Sequence, residues 1–269
     1  MKNFLYQLLI HSFLNKYVLS FFNLFFRLFK RPILRVDKTD QFLYKIKERS
    51  GLTYYVQHPN RIFLFTRGFE YRQNLLISEY LLEHVVVPIS DTNLLFVDVG
   101  ANIGELAYFS AKMNFNYVGF EPDPNVYAAF DRNVSLFGNS SFETFNVALG
   151  SENGFIDFFI ATEKADSSVI EPLSGYANKV KVPVSRLDSL EISNFGSPFI
   201  LKIEAEGFEE SVLKGALSII SKFTYVVIDC GPENGTKNTM AECLNIVCAL
   251  GFEVVEVNLD RGVVFFKKY

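Results

Sequence analysis

Three stretches of this chain place carboxylates and glycines where a small charged ligand could be held. An apolar run, Leu94–Val99, leads into Asp98-Val99-Gly100-Ala101-Asn102-Ile103-Gly104-Glu105. Glycines there let the backbone turn tightly and approach a ligand, and the helix start behind them offers unpaired N–H groups. A second strand, Asn116–Glu121, ends in an acid whose two oxygens can accept both hydroxyls of a ribose. In a third, Phe199–Glu204, the period of two puts Ile200, Lys202 and Glu204 on one face. Charges on a buried strand are costly unless paired or lining a cleft. Glu206 follows on the turn, and Gly207 permits a sharp exit.

The glycine turn discriminates between ligands. The dinucleotide fingerprint needs glycine at positions 102 and 105, where this chain has Asn102 and Glu105. A side chain at 102 crowds a pyrophosphate, and the charge of Glu105 repels it. A nucleoside carrying only a small carboxylate fits better, and S-adenosylmethionine is such a ligand. A nicotinamide oxidoreductase and a non-catalytic scaffold are the rival readings. Titration with both cofactors separates the first, and intact Asp98, Gly100, Gly104 and Glu121 argue against the second.

The elements that must position these groups alternate. Strands are expected at Leu94–Val99, Asn116–Glu121, Phe142–Val147, Phe199–Glu204 and Tyr225–Cys230. Helices are expected at Gly104–Met113, Pro124–Phe137, Glu209–Ser221 and Met240–Leu250, with a closing hairpin of Phe252–Val257 and Val263–Lys267. This pattern predicts an α/β fold, an open, mostly parallel sheet binding its ligand at the strands' carboxyl ends. A hairpin is expected over Gly154–Ala161. Upstream, Leu52–Gln57 and Arg61–Thr66 read as strands and Arg72–His84 as a helix. The expected organisation is a helix (1–38), a small cap (39–90) and the ligand-binding domain (91–269).

Of 269 residues, 49% are hydrophobic and 21% charged, enough for a large core. The net charge of −4 provides no overall field for a nucleic-acid backbone. Cys230, Cys243 and Cys248 offer no CxxC, and His11, His58 and His84 are scattered, so metal chemistry is disfavoured and a reduced, cytoplasmic thiol set is expected.

The first 38 residues run against the overall charge, with Lys2, Lys16, Arg27, Lys30, Arg31, Arg35 and Lys38 opposed by Asp37 alone. They show no small-residue cleavage site and no uninterrupted span of about 20 apolar residues. Ser12, Lys16, Ser20, Asn23, Arg27 and Lys30 form a narrow polar stripe on an otherwise apolar helix that Pro32 must stop. Such a helix suits either the face of an anionic membrane, on its inner side, or packing against its own domain or a second subunit.

Residues 61–266 resemble the FkbM-type family of S-adenosylmethionine-dependent methyltransferases. The resemblance rests on Phe96–Gly104, Phe120-Glu121-Pro122-Asp123-Pro124, Asn146–Gly150, Asp166–Pro172, Leu201–Glu209, Val212–Ala216 and Asp229-Cys230-Gly231-Pro232-Glu233. It implies a class I methyltransferase fold and O-methylation of a sugar or related hydroxyl. Cofactor contacts are expected from Asp98, Gly100, Asn102, Gly104, Glu121, Pro122, Asn146 and Ala148. Glu204 or Glu206 is expected to orient or deprotonate the acceptor, or to hold the cofactor's amino group. Ser167 and Ser168, with Asp166, are expected to cover it. Asp229 and Glu233 are candidates for acceptor contact, and Arg67 and Arg72 could reach an anionic substrate.

Overall fold

The computed structural model describes residues 15–40, 43–88, 93–137, 141–160, 167–172, 175–232 and 238–269. The first described element is the helix α1 (Asn15–Leu28). Leu19 and Phe26 bury its inner face. Between them Asn23 turns inward: its Nδ2 donates to the Val36 carbonyl at 2.9 Å and its Oδ1 accepts the Val36 N–H at 2.7 Å. Arg49 covers the helix's carboxyl end, reaching the carbonyls of Arg27 and Arg31 at 3.0 Å.

Val36 belongs to β1 (Ile33–Asp40), which pairs antiparallel with β2 (Leu43–Glu48), itself paired with β3 (Thr53–Val56). Residues 33–38 therefore sit in the cap sheet, although the sequence reading grouped them with the helix. The expected strand over Arg61–Thr66 is a 3-10 helix, Pro59–Phe65. Pro59 has no N–H to lose in a first helical turn, and His58 Nδ1 accepts the Asn60 N–H at 3.4 Å. Ile62 and Phe65, three residues apart, both face the core, as the tighter helix requires. The helix expected over Arg72–His84 is α2 (Phe69–Glu79), ended where Leu81 takes a left-handed φ of 56°.

The central sheet is built from β4 (Leu94–Val99), β5 (Asn116–Phe120), β6 (Phe142–Phe145), β10 (Ser197–Glu204), β11 (Tyr225–Asp229), β12 (Glu253–Asn258) and β13 (Val263–Lys267). Its order is β12-β13-β11-β10-β4-β5-β6. β13 runs antiparallel to both neighbours, and the other pairings are parallel. β4 is buried at every residue, which explains why it is apolar but for Asp98. Helices α3 (Glu105–Met113), α4 (Pro124–Phe137), α5 (Glu209–Lys214) and α6 (Met240–Ala249) follow strands, and separate apolar cores fill the sheet's two faces. This is the mostly parallel α/β architecture expected, with its closing hairpin. The chain winds outward from β4 in one direction and from β10 in the other, so the crevice lies at their carboxyl ends.

A small third sheet joins β7 (Ala148–Leu149), β8 (Gly154–Ile160) and β9 (Asn178–Ser185) in the order β7-β9-β8. The hairpin expected within Gly154–Ala161 is thus a single strand. Its partner lies further along the chain, where Pro183 and alternate charges masked the strand signal, and Ala161 lies outside the described residues.

One side chain joins the cap to the glycine turn. Asn133 of α4, fully buried, accepts the Tyr55 N–H at 2.7 Å and donates to the carbonyls of Tyr55 at 2.9 Å and Ile103 at 2.7 Å. Asn133→Ala removes the partner of one buried backbone carbonyl, at Ile103, and of two half-buried groups of Tyr55. It should lower the unfolding free energy by about 2–3 kcal/mol, measured as a lower urea midpoint at unchanged slope.

Candidate active site

The glycine turn is seated on the end of β5, where the N–H groups of Gly100 and Ala101 both donate to the Phe120 carbonyl at 2.9 Å. Gly100 has φ 72°, and a Cβ there would stand 2.0 Å from the Glu204 carbonyl oxygen, so no other residue fits. Asn102 occupies the same left-handed region, with φ 52°. Gly104 does different work: a Cβ would meet the Phe130 ring at 2.7 Å, so this glycine seats α4 and lines neither cavity described below.

Two cavities meet at this turn. The first is a slot walled by Gly100, Asn102, Glu121, Pro122 and Ala148, with apolar Phe158 and Val126. Glu121 accepts the Asn102 N–H through Oε2 and the Asp123 N–H through Oε1, both at 2.9 Å. Burial pushes its carboxyl up to about 8, against those two backbone donors and helped by the charge of Asp123. Oriented carboxylate oxygens, apolar walls and the buried Asn102 Oδ1, which lacks a hydrogen-bond partner among the described residues, fit a nucleoside with a polar tail. Asn146, expected here, is turned away. Its Nδ2 clamps the carbonyls of Glu121 at 2.8 Å and Pro122 at 3.1 Å, holding the strand end from behind.

Ser167 and Val169 wall this first cavity, on the side where the nucleoside fits. The Ser167 hydroxyl donates to Asp123 at 2.9 Å, and that of Ser168 to the Glu206 carbonyl at 3.0 Å. Asp166 lies outside the described residues, as does Glu233.

The second cavity, about 360 Å3, opens on the other side of Gly100, Asn102, Glu204 and Glu206 and is lined mainly by polar groups. Lys202 lies at its floor, 2% exposed, 3.0 Å from Asp98 and 3.2 Å from Glu204. It also donates to the carbonyls of Gly100 at 2.8 Å and Val99 at 3.2 Å. Burial alone would lower the ammonium's pKa, but the two carboxylates more than reverse that. The Tyr80 hydroxyl donates to Glu204 at 2.6 Å, and Arg261 reaches Glu204 at 3.3 Å and Asp229 at 2.6 Å. Burial would raise the Glu204 carboxyl, yet Lys202, Tyr80 and Arg261 together hold it below the usual range. Asp229 goes the other way, to about 6, through burial and the neighbouring Glu204 charge.

Asp98 thus faces the second cavity and is tied to Lys202 and to the Tyr117 hydroxyl at 2.8 Å. Arg72 reaches the same cavity but is paired with Glu105 at 2.8 Å, while Arg67 stacks over Tyr71 away from both cavities. Tyr80, Arg61 and Arg261 were not read from the sequence. Tyr80 counted only as one apolar position of a helix, and Arg261 only as part of a hairpin turn.

Residues 98–254 match the family described as Methyltransferase FkbM domain. A curated relative, Methyltransferase 1 of Beauveria bassiana, is 26% identical over 152 residues, 48% of this chain. The match spans 61% of that relative's length. Among solved structures, a precorrin-6y C5,15-methyltransferase from Geobacter metallireducens aligns over 74% of this chain and 89% of its own, at 10% identity and a TM-score of 0.39. Fibrillarin from Aeropyrum pernix aligns over 87% and 98%, at 12% identity and a TM-score of 0.40.

The raised Glu121 carboxyl makes ligand affinity depend on pH. Its folded value of about 8 exceeds the ordinary 4.5, so the free protein holds a proton there at neutral pH. A diol donating two hydroxyls prefers the ionised form. Affinity for S-adenosylhomocysteine, measured by calorimetry, should therefore weaken below pH 8, by up to about tenfold per unit, and level off above it. Glu121→Gln should bind weakly with no such slope.

Proposed function

The chain belongs to the FkbM methyltransferase family, and from that premise we propose that it transfers a methyl group from S-adenosylmethionine to a hydroxyl of a sugar, as a free glycan or glycolipid. The nicotinamide reading is set aside by that membership. The observation carrying the acceptor side of this proposal is the partition between the two cavities, whose walls among the described residues share only two carboxylates, Glu204 and Glu206. Adenosine would occupy the slot beside Glu121, and the acceptor would enter the larger cavity.

When bound, the cofactor supplies an electrophilic methyl group on a sulfonium and leaves as a neutral thioether. The protein's part is alignment, exclusion of water and custody of one proton. Glu204, kept ionised by Lys202, Tyr80 and Arg261, is a weak base but a good hydrogen-bond acceptor, and orients the attacking hydroxyl. Glu206 then takes the proton. It stands on a strained left-handed turn with φ 52°, held by the Ser168 hydroxyl on its carbonyl. Carboxylates, guanidinium groups and the Tyr80 ring are the groups that bind polyols, and the second cavity is built of them. Asp98 and Lys202 act beneath, as the charged floor that fixes Glu204.

Labelled cofactor incubated with a host-cell glycan extract should yield a methylated sugar by mass analysis. Glu206→Gln should keep S-adenosylhomocysteine affinity and lose on the order of 10²–10⁴ in kcat. Transfer at the full rate by that variant would remove Glu206 from the chemistry.

A further inference from the structure

The outward face of α1 is apolar. Tyr17, Phe21, Leu24 and Leu28 follow one another at helical spacing and each keeps 55–69% of its surface exposed. The inward face is already satisfied by Leu19, Asn23 and Phe26 on β1. The helix is therefore apolar on two opposite sides, and only one has a partner among the described residues. A stripe of this length is more than scattered surface apolarity.

Its surroundings are cationic. Between residues 17 and 39 the chain carries Arg27, Lys30, Arg31, Arg35 and Lys38, all exposed, against Asp37, which is tied to Arg35 at 2.7 Å. Arg27 follows Leu24 by three residues and so flanks the stripe directly. A parallel pairing of two copies through this face would bring Arg27, Lys30 and Arg31 of both chains together, and an antiparallel one would leave these basic ends unneutralised, so a second copy answers the stripe but not its flank. An anionic bilayer meets both features at once: acyl chains accept the stripe, and headgroup phosphates neutralise the basic flank. No helix among the described residues is long and apolar enough to cross a membrane, so the contact is with one leaflet's surface.

We propose that the exposed face of α1 is a docking surface for an anionic lipid bilayer. The Phe22 ring meets Phe63 edge-on at 5.9 Å, so the helix rests on the 3-10 segment Pro59–Phe65 that also brings Arg61 to the second cavity. Surface capture and the outer wall of the acceptor cavity thereby share one element. The docking surface stands whether or not the acceptor is a sugar.

The test is flotation of the full-length protein with phosphatidylcholine vesicles, with and without phosphatidylglycerol. The wild type should float with the mixed vesicles and be released by high salt. Phe21→Ser/Leu24→Ser and, separately, Lys30→Gln/Arg31→Gln should each weaken flotation by about tenfold or more, at an unchanged melting temperature and unchanged S-adenosylhomocysteine affinity. Equal binding to neutral and mixed vesicles, or retention by Phe21→Ser/Leu24→Ser, would overturn the proposal. So would a concentration-dependent dimer abolished by that variant, which would give the stripe to a second copy. Failure to float with either vesicle would overturn it as well.

Discussion

A single ammonium group between two parallel strands organises the site. Lys202 points from β10 toward the end of β4, where it touches Asp98, Glu204 and two carbonyls of the glycine turn. A cation this deep survives only because its partners surround it. Removing both carboxylates would leave it uncompensated, a cost of roughly 3–5 kcal/mol or more. The pairing fixes more than stability. It sets the height of the glycine turn relative to β10, and it holds Glu204 ionised. Gly100 is required by that approach, because its Cα lies directly beneath the Glu204 carbonyl.

Around that floor, charge is used in opposite senses on the two sides. In the slot, Glu121 is buried among backbone donors and apolar walls, and its affinity for protons rises. In the larger cavity, Glu204 meets a lysine, an arginine and a phenol, and its proton affinity falls. Two carboxylates on adjacent parts of one crevice thereby acquire different chemistry from their surroundings alone. The Ser167–Asp123 and Ser168–Glu206 bonds tie the small third sheet's insertion to both sides.

The parts of this arrangement carried by local pattern were readable in advance. β4 and β10 announce themselves by the apolar runs Leu94–Val97 and Phe199–Leu201, and the period of two on β10 puts Lys202 and Glu204 on one face. Glu121 is placed by ending its strand, and Pro124 opens α4 where the sequence requires. What long-range contact decides was not readable. Asn146 occupies a position suited to ligand contact, but its amide finds two nearer carbonyls. Gly104 gives room to the Phe130 ring of α4, a close approach no local pattern announces. Arg261 and Tyr80 are distant in sequence from the residues they hold, and neither carries a local signal. The segment before α2 failed for another reason: Ile62–Phe65 is apolar throughout, and a short apolar run suits a strand and a tight helix equally. The N-terminal helix was read as facing either lipid or protein, and its buried face does pack on its own cap.

The two chambers differ in where their walls come from. The slot is assembled from residues between 99 and 208, on the central sheet and its loops, the first turn of α4 and the small third sheet with the segment after it. The outer wall of the larger one comes from elsewhere: Arg61, Arg72, Leu76 and Tyr80 from the cap, and Asp260 and Arg261 from the final hairpin. Substitutions there at residues other than Tyr80 and Arg261, which hold the shared Glu204, reshape the larger chamber without altering a wall of the slot. In the proposed assignment, what the protein modifies is set by segments that contribute nothing to the donor's slot.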